Sequence, residues 1–355
     1  MHWYAFLLYP FAVLYNLVTR LRNWFFDQGL FKTSESPIPT ILVGNLSVGG
    51  TGKTPMVEYL IRSLKGDFKL GTLSRGYGRD SKGFLQANQT SNPRDLGDEP
   101  FQIYKKFENE IQVFVGEDRV FALKKIKAKI DCPQVMILDD AFQHRSVKSH
   151  LNILLTTYQK AFFSDHLLPA GRLRESRSGA KRADLVVVTK CPETITEGLK
   201  NEFKDRISQY AGLKSPVLFS QITYGKPYPI IKEGSKFSTS ILLLSGLAND
   251  ELLVRFCRNN FDVLEILSFP DHHDYSEIDF AKLKKARQNY PDREIVILTT
   301  EKDAEKVKSA APEGFLIEIP IFVLPILVEF SPEDAEVLEQ QIQQKVLKKT
   351  KTSEK

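Results

Sequence analysis

The chain has 355 residues, of which 42% are hydrophobic and 26% are charged, close to the averages of folded globular domains. This length and balance exclude a small disulfide-stapled scaffold, a wholly disordered chain and a protein with many membrane spans. The formal net charge is +5, from 49 Lys and Arg against 44 Asp and Glu. Such a mild excess is compatible with an anionic ligand or a lipid surface and gives no support for nucleic acid binding.

The chain begins with an unusual apolar segment. The run from Trp3 to Val18 is almost wholly apolar, and Arg20 and Arg22 follow it. A helix that spans a bilayer needs about 20 predominantly apolar residues, whereas this run is shorter and contains Pro10. The positive charges also follow the run, opposite to the order in a cleaved secretory signal. We predict that residues 1–32 form a helix at a membrane interface, with burial on the chain's own domain or on a partner as the alternative.

Short apolar runs then alternate with longer amphipathic stretches. The runs are continuous rather than alternating in polarity, which is typical of parallel strands covered by helices on both faces. We therefore predict an α/β core over residues 33–214. Its predicted strands are Thr40–Asn45, Lys69–Ser74, Gln112–Val115, Val135–Asp139, Asn152–Thr156 and Asp184–Thr189.

A second series of apolar runs follows Pro216, and we predict a smaller α/β domain over residues 215–330. Its predicted strands and helices are Val217–Ile222, Ile241–Ser245, Glu294–Thr299 and Phe315–Ile319, with helical patterns at Asp250–Asn259 and Phe280–Gln288. Residues 331–355 are predicted to form a terminal helix from Pro332 to Lys348 and a Lys-rich tail. A solvated end is the favoured interpretation of that tail over a lipid contact.

A glycine-rich loop lies between the first predicted strand and the next helical pattern. It reads Gly44-Asn45-Leu46-Ser47-Val48-Gly49-Gly50-Thr51-Gly52-Lys53-Thr54. The pattern GxxxxGK[ST] has Gly where this chain has Ser47, but strand, loop and helix follow in the required order. Small residues let backbone N–H groups approach phosphate, Lys53 adds positive charge, and the Thr54 hydroxyl can bind Mg²⁺. This P-loop predicts binding of a nucleoside triphosphate by Gly49, Gly50, Thr51, Gly52, Lys53 and Thr54.

Two adjacent acids, Asp139 and Asp140, end the predicted strand Val135–Asp139. Ligands of open α/β sheets bind at the carboxyl ends of the strands. One of these carboxylates can hold Mg²⁺ directly or through water, as the acid of a Walker B strand does. Together with Lys53 and Thr54, this pair predicts binding of a nucleoside triphosphate with Mg²⁺, and the sequence does not choose between the two acids.

Seven separated motifs together resemble the tetraacyldisaccharide 4'-kinase (lipid A 4'-kinase) family. They are Gly49–Pro55, Ser74–Arg79, Gly97–Pro100, Leu138–Arg145, Leu168–Gly171, Asp271-His272 and Thr300–Asp303. With the apolar amino terminus, the resemblance covers nearly the whole chain. It implies a P-loop NTPase-like kinase that transfers the ATP γ-phosphate to the 4'-hydroxyl of an acylated glucosamine disaccharide 1-phosphate. It also implies action at the cytoplasmic face of the bacterial inner membrane, with no obligate protein partner.

The resemblance implies roles for several residues. Asp98 would act with His272 to take the proton of the acceptor hydroxyl, and His273 is the competing imidazole. Arg174 would stabilise charge on the transferred phosphate beside Lys53.

Two assignments stay open at this stage. Arg172 clouds the choice of Arg174, because it stands where the family often has another residue. Glu99 is a candidate for the Mg²⁺ or acceptor network, and a plain turn residue is the alternative.

Two further motifs are less specific. Arg75, Tyr77 and Arg79 follow a strand end and predict contacts with acceptor phosphate or sugar, against a glycine-stiffened turn with exposed arginines. Thr300–Asp303 follows an apolar run, and the chemistry of its side chains does not assign it to a step of the reaction.

Two other classes of function compete. A regulatory P-loop GTPase or ATPase at a membrane is supported by Thr189-Lys190-Cys191-Pro192, which partly resembles a guanine-reading [NT]KxD loop. Pro192 stands where that loop needs an acid. A membrane-associated scaffold with a vestigial nucleotide site is the other class, and the intact Lys53 and Thr54 argue against such decay.

Overall fold

The structure is a computed structural model that describes residues 4–212, 214–231, 235–271 and 273–347. Its helices are α1 (Tyr4–Asp27), α2 (Lys53–Leu64), α3 (Pro93–Leu96), α4 (Asp98–Phe107), α5 (Arg119–Lys127), α6 (Glu197–Ala211), α7 (Glu251–Asn260), α8 (Glu277–Gln288), α9 (Glu301–Ala310), α10 (Phe315–Glu318) and α11 (Pro332–Ile342). Its strands are β1 (Ser34–Glu35), β2 (Thr40–Asn45), β3 (Leu70–Ser74), β4 (Leu85–Gln86), β5 (Gln112–Val115), β6 (Val135–Asp139), β7 (Val147–Lys148), β8 (Leu151–Thr157), β9 (Leu185–Cys191), β10 (Val217–Tyr224), β11 (Tyr228–Pro229), β12 (Ser240–Ser245), β13 (Asp262–Ser268), β14 (Val296–Thr300), β15 (Ile321–Leu324) and β16 (Ile326–Phe330).

The described residues contain a nine-stranded sheet in the order β16-β10-β9-β8-β2-β6-β3-β5-β4. β2 pairs in parallel with β6 and β8, and β3 pairs in parallel with β5 and β6. β8, β9 and β10 continue the parallel arrangement, whereas β4 is antiparallel to β5. The carboxyl ends of β2, β3 and β6 therefore meet at one edge, where an open α/β sheet binds its ligands.

The large sheet is covered on both faces, as its continuous apolar runs predict. Every residue of β2 and β6 is buried. On one face, α2 contributes fully buried side chains at Met56, Val57, Leu60 and Ile61. Burying each such side chain stabilises the fold by roughly 1.5–3 kcal/mol, so packing fixes the helix that follows the P-loop. The predicted α/β core with a parallel sheet is confirmed.

Two predicted strands are wrong in placement or type. Val217–Ile222 was assigned to the second domain, but β10 pairs in parallel with β9 in the large sheet. Phe315–Ile319 was predicted as a strand, but α10 occupies Phe315–Glu318. A one-turn helix brings Phe315 and Ile319 to the same side, and both are 1% exposed. The strand of this region is β15, which begins at Ile321, two residues after Ile319, and pairs with β14.

The second compact unit comprises Thr223–Leu327, and the remaining residues form the first. Its described residues contain a five-stranded sheet in the order β11-β15-β14-β12-β13, parallel except for the antiparallel β11. The sequence predicted a domain over residues 215–330. The unit begins later because β10 belongs to the sheet of the first unit.

The end of the chain returns to the first unit. Leu338, Ile342 and Val346 lie in the buried cluster that contains Met56 of α2. The sequence treated residues 331–355 as a separate terminal segment, and this packing gives its helix a structural role. The Lys-rich tail from residue 348 onward lies outside the described residues.

The helix α1 has one fixed side and one exposed side. Tyr15 Oη donates a hydrogen bond to the carbonyl of Arg174 at 2.7 Å, and Asn23 Nδ2 donates to Glu175 Oε2 at 3.1 Å. The exposed side is apolar and includes Leu14, Leu17, Val18 and Leu21, each at least half exposed. Within the described part of the chain, no helix is both long and apolar enough to cross a bilayer.

Candidate active site

The P-loop connects β2 to α2 and takes its shape from glycine and side-chain hydrogen bonds. Gly52 has φ +85°, in the left-handed region that favours glycine, and directly precedes the first residue of α2. Asn45 Nδ2 donates to Thr51 Oγ1 at 2.7 Å, and the N–H of Thr51 donates to the carbonyl of Gly49 at 2.9 Å. The N–H groups at the start of α2 are thereby available to an anion.

The non-consensus Ser47 is accommodated by a backbone pairing with a second loop. Ser47 forms an antiparallel bridge with Leu173. The N–H of Val48 donates to the carbonyl of Arg172 at 2.8 Å, and the N–H of Arg174 donates to the carbonyl of Leu46 at 2.7 Å. These bonds fix the arginine-bearing loop against the P-loop.

The two arginines of that loop have different partners. Arg174 Nη1 donates to both oxygens of Asp140, at 3.1 and 3.0 Å. Arg172 Nε lies 2.9 Å from Asp165 Oδ2 instead. The structure therefore places Arg174, and not Arg172, beside the acids at the end of β6.

Asp140 lies between two cations. Lys53 Nζ is 3.8 Å from Asp140 Oδ1, and Arg174 contacts the same carboxylate. Burial acts to raise the pKa of Asp140, but Lys53 and Arg174 outweigh it and hold the pKa below its usual value. Asp140 also has φ +45°, a backbone conformation uncommon for a residue other than glycine. P-loop lysine, loop arginine and strand-end acid thus form one charged cluster.

Asp139 has the opposite electrostatic character. Its side chain is buried, and Oδ1 has no hydrogen-bond partner among the described residues. Burial, then the nearby charges of Glu99 and Asp140, raise the pKa of Asp139 to about 7. A buried carboxyl with an orphaned oxygen beside further acids is the environment that a divalent cation would stabilise.

The carboxylate oxygens at this position are the type of ligand that Mg²⁺ takes. Among the described residues, no group of three or more His, Cys, Asp or Glu side chains forms a metal cage. Mg²⁺ in phosphoryl-transfer sites is held by one or two carboxylates together with substrate phosphates and water.

Two motifs that are distant in sequence pack together beside these acids. A Cβ at Gly97, which has φ +90°, would lie 2.9 Å from the carbonyl oxygen of Tyr77. A Cβ at Gly76 would lie 2.6 Å from the carbonyl oxygen of Leu96. Only glycine permits this close approach of backbones. The contact brings Asp98, the half-buried first residue of α4, to the turn that follows β3.

The structure adds two residues that the sequence reasoning missed. Arg119 at the start of α5 is 1% exposed, and its Nε and Nη2 make no hydrogen bond within the described segments. Burial lowers the pKa of Arg119 to about 10, against the attraction of Asp139. Burial, and then the charges of Arg119 and Arg75, lower the pKa of His144 to about 4. Arg75, Arg119 and His144 therefore form a group of anion-binding character with a neutral imidazole at pH 7.

The three residues predicted to contact the acceptor differ from one another in exposure and in hydrogen-bond partners. Arg75 is exposed and belongs to the group just described, and Tyr77 is 84% exposed. Arg79 instead bonds to Ser81 Oγ, the carbonyl of Gly83 and the carboxylate of Glu117, and its side chain is 2% exposed. These contacts hold the Arg79 guanidinium within its own turn, and its contact with acceptor stays a prediction.

The loop that resembled a guanine reader lies against the P-loop. Thr189 Oγ1 donates to the carbonyl of Thr51 at 2.8 Å. A Cβ at Gly50 would lie 3.8 Å from Lys190 Nζ, and Lys190 has φ +57°. The sequence signal that could have placed Thr189 and Lys190 near the P-loop is their position at the end of a predicted strand. Their motif was interpreted only as evidence on GTP specificity.

In the second unit, His272 lies outside the described residues. Its neighbour His273 is engaged internally, because Nε2 lies 3.0 Å from Asp279 Oδ2. Burial acts to raise the pKa of Asp279, but hydrogen bonds from Ser276 and His273 outweigh it and lower the pKa to about 2. This partner makes His273 the weaker candidate of the two imidazoles.

Comparisons of the sequence and of the structure with known proteins agree on one family. A family model described as Tetraacyldisaccharide-1-P 4'-kinase (LpxK) matches residues 4–347. The chain is 45% identical over 318 residues to the tetraacyldisaccharide 4'-kinase of Flavobacterium psychrophilum, covering 88% of this chain and 90% of that protein. It is 39% identical over 355 residues to that of Phocaeicola vulgatus, covering 98% and 96%. The crystal structure of LpxK from Aquifex aeolicus in complex with ATP matches with a TM-score of 0.73 at 31% identity, covering 96% of this chain and 99% of that chain.

Proposed function

This chain belongs to the tetraacyldisaccharide-1-P 4'-kinase family, and from that premise we propose the reaction it catalyses. The ATP γ-phosphate is transferred to the 4'-hydroxyl of an acylated glucosamine disaccharide 1-phosphate, which forms the 4'-phosphate of a lipid A precursor. The observation that carries this assignment is the cluster in which Lys53 and Arg174 meet Asp140 beside the P-loop. Such a cluster serves phosphoryl transfer, in which catalysis is mainly positioning and charge stabilisation.

ATP is bound by the P-loop from Gly49 to Thr54. The N–H groups of the loop and of the first turn of α2 bind phosphate oxygens, and Lys53 neutralises charge on the β- and γ-phosphates. Lys190 Nζ lies 3.8 Å from the position of a Cβ on Gly50, and this positive charge beside the P-loop supports a role in holding the nucleotide.

Thr54, Asp139, Asp140 and Glu99 form the proposed environment of Mg²⁺. The orphaned Oδ1 of Asp139 and the proximity of Glu99 support this set. When bound, the ion neutralises charge on the β- and γ-phosphate oxygens.

Asp98 is the proposed acceptor of the proton from the 4'-hydroxyl, and the family resemblance assigns His272 to the same step. As the proton moves to the Asp98 carboxylate, the hydroxyl oxygen forms a bond to the γ-phosphorus. The bond from that phosphorus to the β–γ bridging oxygen breaks, and its electron pair leaves with ADP. Arg174 and Lys53 stabilise the negative charge on the oxygens of the phosphoryl group during transfer.

The acceptor phosphate and sugar are assigned to the group of Arg75, Arg119 and His144, together with Tyr77 of the turn that carries Arg75. Two orphaned guanidinium N–H sites on Arg119 support this assignment, because buried donors are stabilised by an acceptor oxygen. The exposed ring of Tyr77 offers a flat apolar surface to a sugar.

The exposed apolar side of α1 supports action at a membrane surface. An acylated disaccharide stays in its bilayer, so the enzyme must reach the headgroup layer. We assign α1 to the interface, peripheral or monotopic, with Arg20 and Arg22 near anionic headgroups. By this proposal the enzyme works at the cytoplasmic face of the bacterial inner membrane.

Nucleotide preference separates the kinase from a regulatory GTPase, which Pro192 in place of the guanine-reading acid disfavours. Two variants test the kinase assignments. Asp98→Asn should bind ATP normally and lose transfer, whereas Lys53→Ala should lose both tight ATP binding and transfer. Selective binding of GTP, or full transfer by Asp98→Asn, would overturn the proposal.

A further inference from the structure

A buried charged group joins the helix that follows the P-loop to the helix that begins at Asp98. Glu58 of α2 is 1% exposed. Its Oε2 accepts hydrogen bonds from Arg62 Nη2 at 2.8 Å and from Lys106 Nζ at 2.5 Å, and its Oε1 accepts one from Gln102 Nε2 at 3.2 Å. Arg62 lies on α2, whereas Gln102 and Lys106 lie on successive turns of α4. These contacts, the Glu58 tie, therefore join α2 to α4 within the first unit.

Helical spacing relates the Glu58 tie to the first residues of both helices. Residues four apart share a face of a helix, so Asp98 lies on the same face of α4 as Gln102 and Lys106. By the same spacing, Thr54 lies on the same face of α2 as Glu58. Thr54 and Asp98 each precede the tie by four residues, which is about 6 Å along a helix axis.

Both helices begin at the same edge of the large sheet. α2 begins where the P-loop leaves β2 and connects it to β3, and both strands pair in parallel with β6. α4 begins after Gly97, which packs against the turn that follows β3. Burial first, and then the charge of Glu99 in the first turn of α4, raise the pKa of Asp139 at the end of β6. Thr54 and Asp98 therefore lie at corresponding ends of two helices that the tie connects.

A buried ion pair is a costly way to hold two helices together. Apolar side chains of similar volume often give equal or greater stability, because charges lose their hydration on burial. Apolar packing is already present between these helices, since Ile103 and Phe107 of α4 lie in the buried cluster that contains Met56 of α2. Apolar contacts have no preferred direction, whereas hydrogen bonds are directional. The Glu58 tie thus adds a fixed position of α4 along the axis of α2.

We propose that Glu58, through Gln102 and Lys106, is a positioning residue that sets the axial position of Asp98 relative to the P-loop. This inference rests on the proposed role of Asp98 as the acceptor of the proton. Displacement of a catalytic group by about 1 Å can lower a rate by roughly 100-fold. The P-loop itself is fixed by backbone hydrogen bonds and by the buried side chains of α2. Loss of the tie should therefore lower kcat and leave the KM for ATP nearly unchanged.

The first test replaces the ion pair with apolar contact and keeps the helices packed. Removal of one partner of a buried ion pair is strongly destabilising, so Glu58 and Lys106 are both changed to Met, which preserves helix propensity. Glu58→Met/Lys106→Met should melt close to the native temperature, and its kcat should fall by roughly 10- to 100-fold with the KM for ATP within about twofold. Lys105→Met, at an exposed lysine of α4, is the matched control and should keep full activity.

Two single variants make the result independent of how well the double variant folds. Gln102→Leu removes one contact of the tie and keeps both charges of the ion pair, and it should lower kcat several-fold. Lys106→Arg keeps the positive charge and its donors to Glu58, and it should retain most of the native kcat. Single-turnover transfer with enzyme in excess should show the same differences, because it reports the transfer step.

The outcomes separate the tie from the proposed function. Native kcat in Gln102→Leu and in the folded double variant would overturn the positioning role of Glu58. A rise of the KM for ATP in proportion to the fall of kcat would also overturn it, because the damage would then extend to the P-loop. Full transfer by Asp98→Asn would overturn the proposed role of Asp98, and this use of the tie with it. Slow transfer by the tie variants beside an inactive Asp98→Asn supports both.

Discussion

Replacing three exposed leucines of α1 with glutamine should release the enzyme from lipid vesicles. Leu14, Leu17 and Leu21 are 60%, 64% and 50% exposed, and all three belong to the exposed apolar side of α1. Burying a whole leucine side chain contributes about 1.5–3 kcal/mol, so transfer of these exposed fractions into the apolar layer contributes roughly 1–2 kcal/mol each. The sum is about 3–5 kcal/mol, or a loss of at least roughly 100-fold in partitioning.

The assay is sedimentation with vesicles of anionic bacterial-type phospholipid across a range of lipid concentration. Glutamine preserves helix propensity and side-chain length, so the helix itself should persist. Ile130→Gln is the matched control, because Ile130 is fully exposed in the connection before β6, far in the chain from α1. ATP binding should be unchanged in both proteins. Unchanged partitioning of the triple variant would refute the interfacial assignment of the exposed side of α1.

Three further predictions follow from contacts within the first unit. Arg174→Gln should lower kcat by roughly 100-fold or more, because it removes a donor that stabilises charge on the transferred phosphoryl group. Arg172→Gln should have a small effect, because Arg172 pairs with Asp165. Equal losses of kcat for the two variants in steady-state assays would contradict this. Lys190→Met should raise the KM for ATP several-fold with little change in kcat, and an unchanged KM would remove Lys190 from the nucleotide site. The pKa of His144 is lowered from 6.5 to about 4, so the folded protein resists its protonation, and the free energy of unfolding should fall as pH drops through that window. Denaturant melts should show a shallower fall for His144→Gln, and an identical pH dependence would contradict the burial.

The parts of the fold that could be predicted from the sequence are those that depend on local patterns of apolar residues and glycine. Continuous apolar runs located β2, β3, β5 and β6 within a residue or two, and glycine spacing located the turn before α2. Sheet membership is not local, because a buried parallel strand has the same pattern in either sheet. For that reason Val217–Ile222 was placed in the wrong domain, and a short amphipathic turn at Phe315–Ile319 was mistaken for a strand.

In the candidate site too, residues in local motifs could be predicted, whereas residues placed by tertiary packing could not. Lys53 and Asp140 could be predicted because motif and strand end coincide in the sequence. Arg119 could not, because an arginine at a helix start is usually solvated, and only the packing of α5 buries it. Arg79 is predicted at the site because it follows a strand end, and the sequence does not show the hydrogen bonds that hold its guanidinium to Gly83 and Glu117, because tertiary structure sets them.

The most direct measurement is transfer of labelled γ-phosphate from ATP to a purified tetraacyl glucosamine disaccharide 1-phosphate, with a 4'-deoxy analogue as the matched control. We predict labelled lipid in a one-to-one ratio with ADP, no label on the analogue and none from the Asp98→Asn variant. Release of ADP without labelled lipid, or equal labelling of the analogue, would contradict transfer to the 4'-hydroxyl.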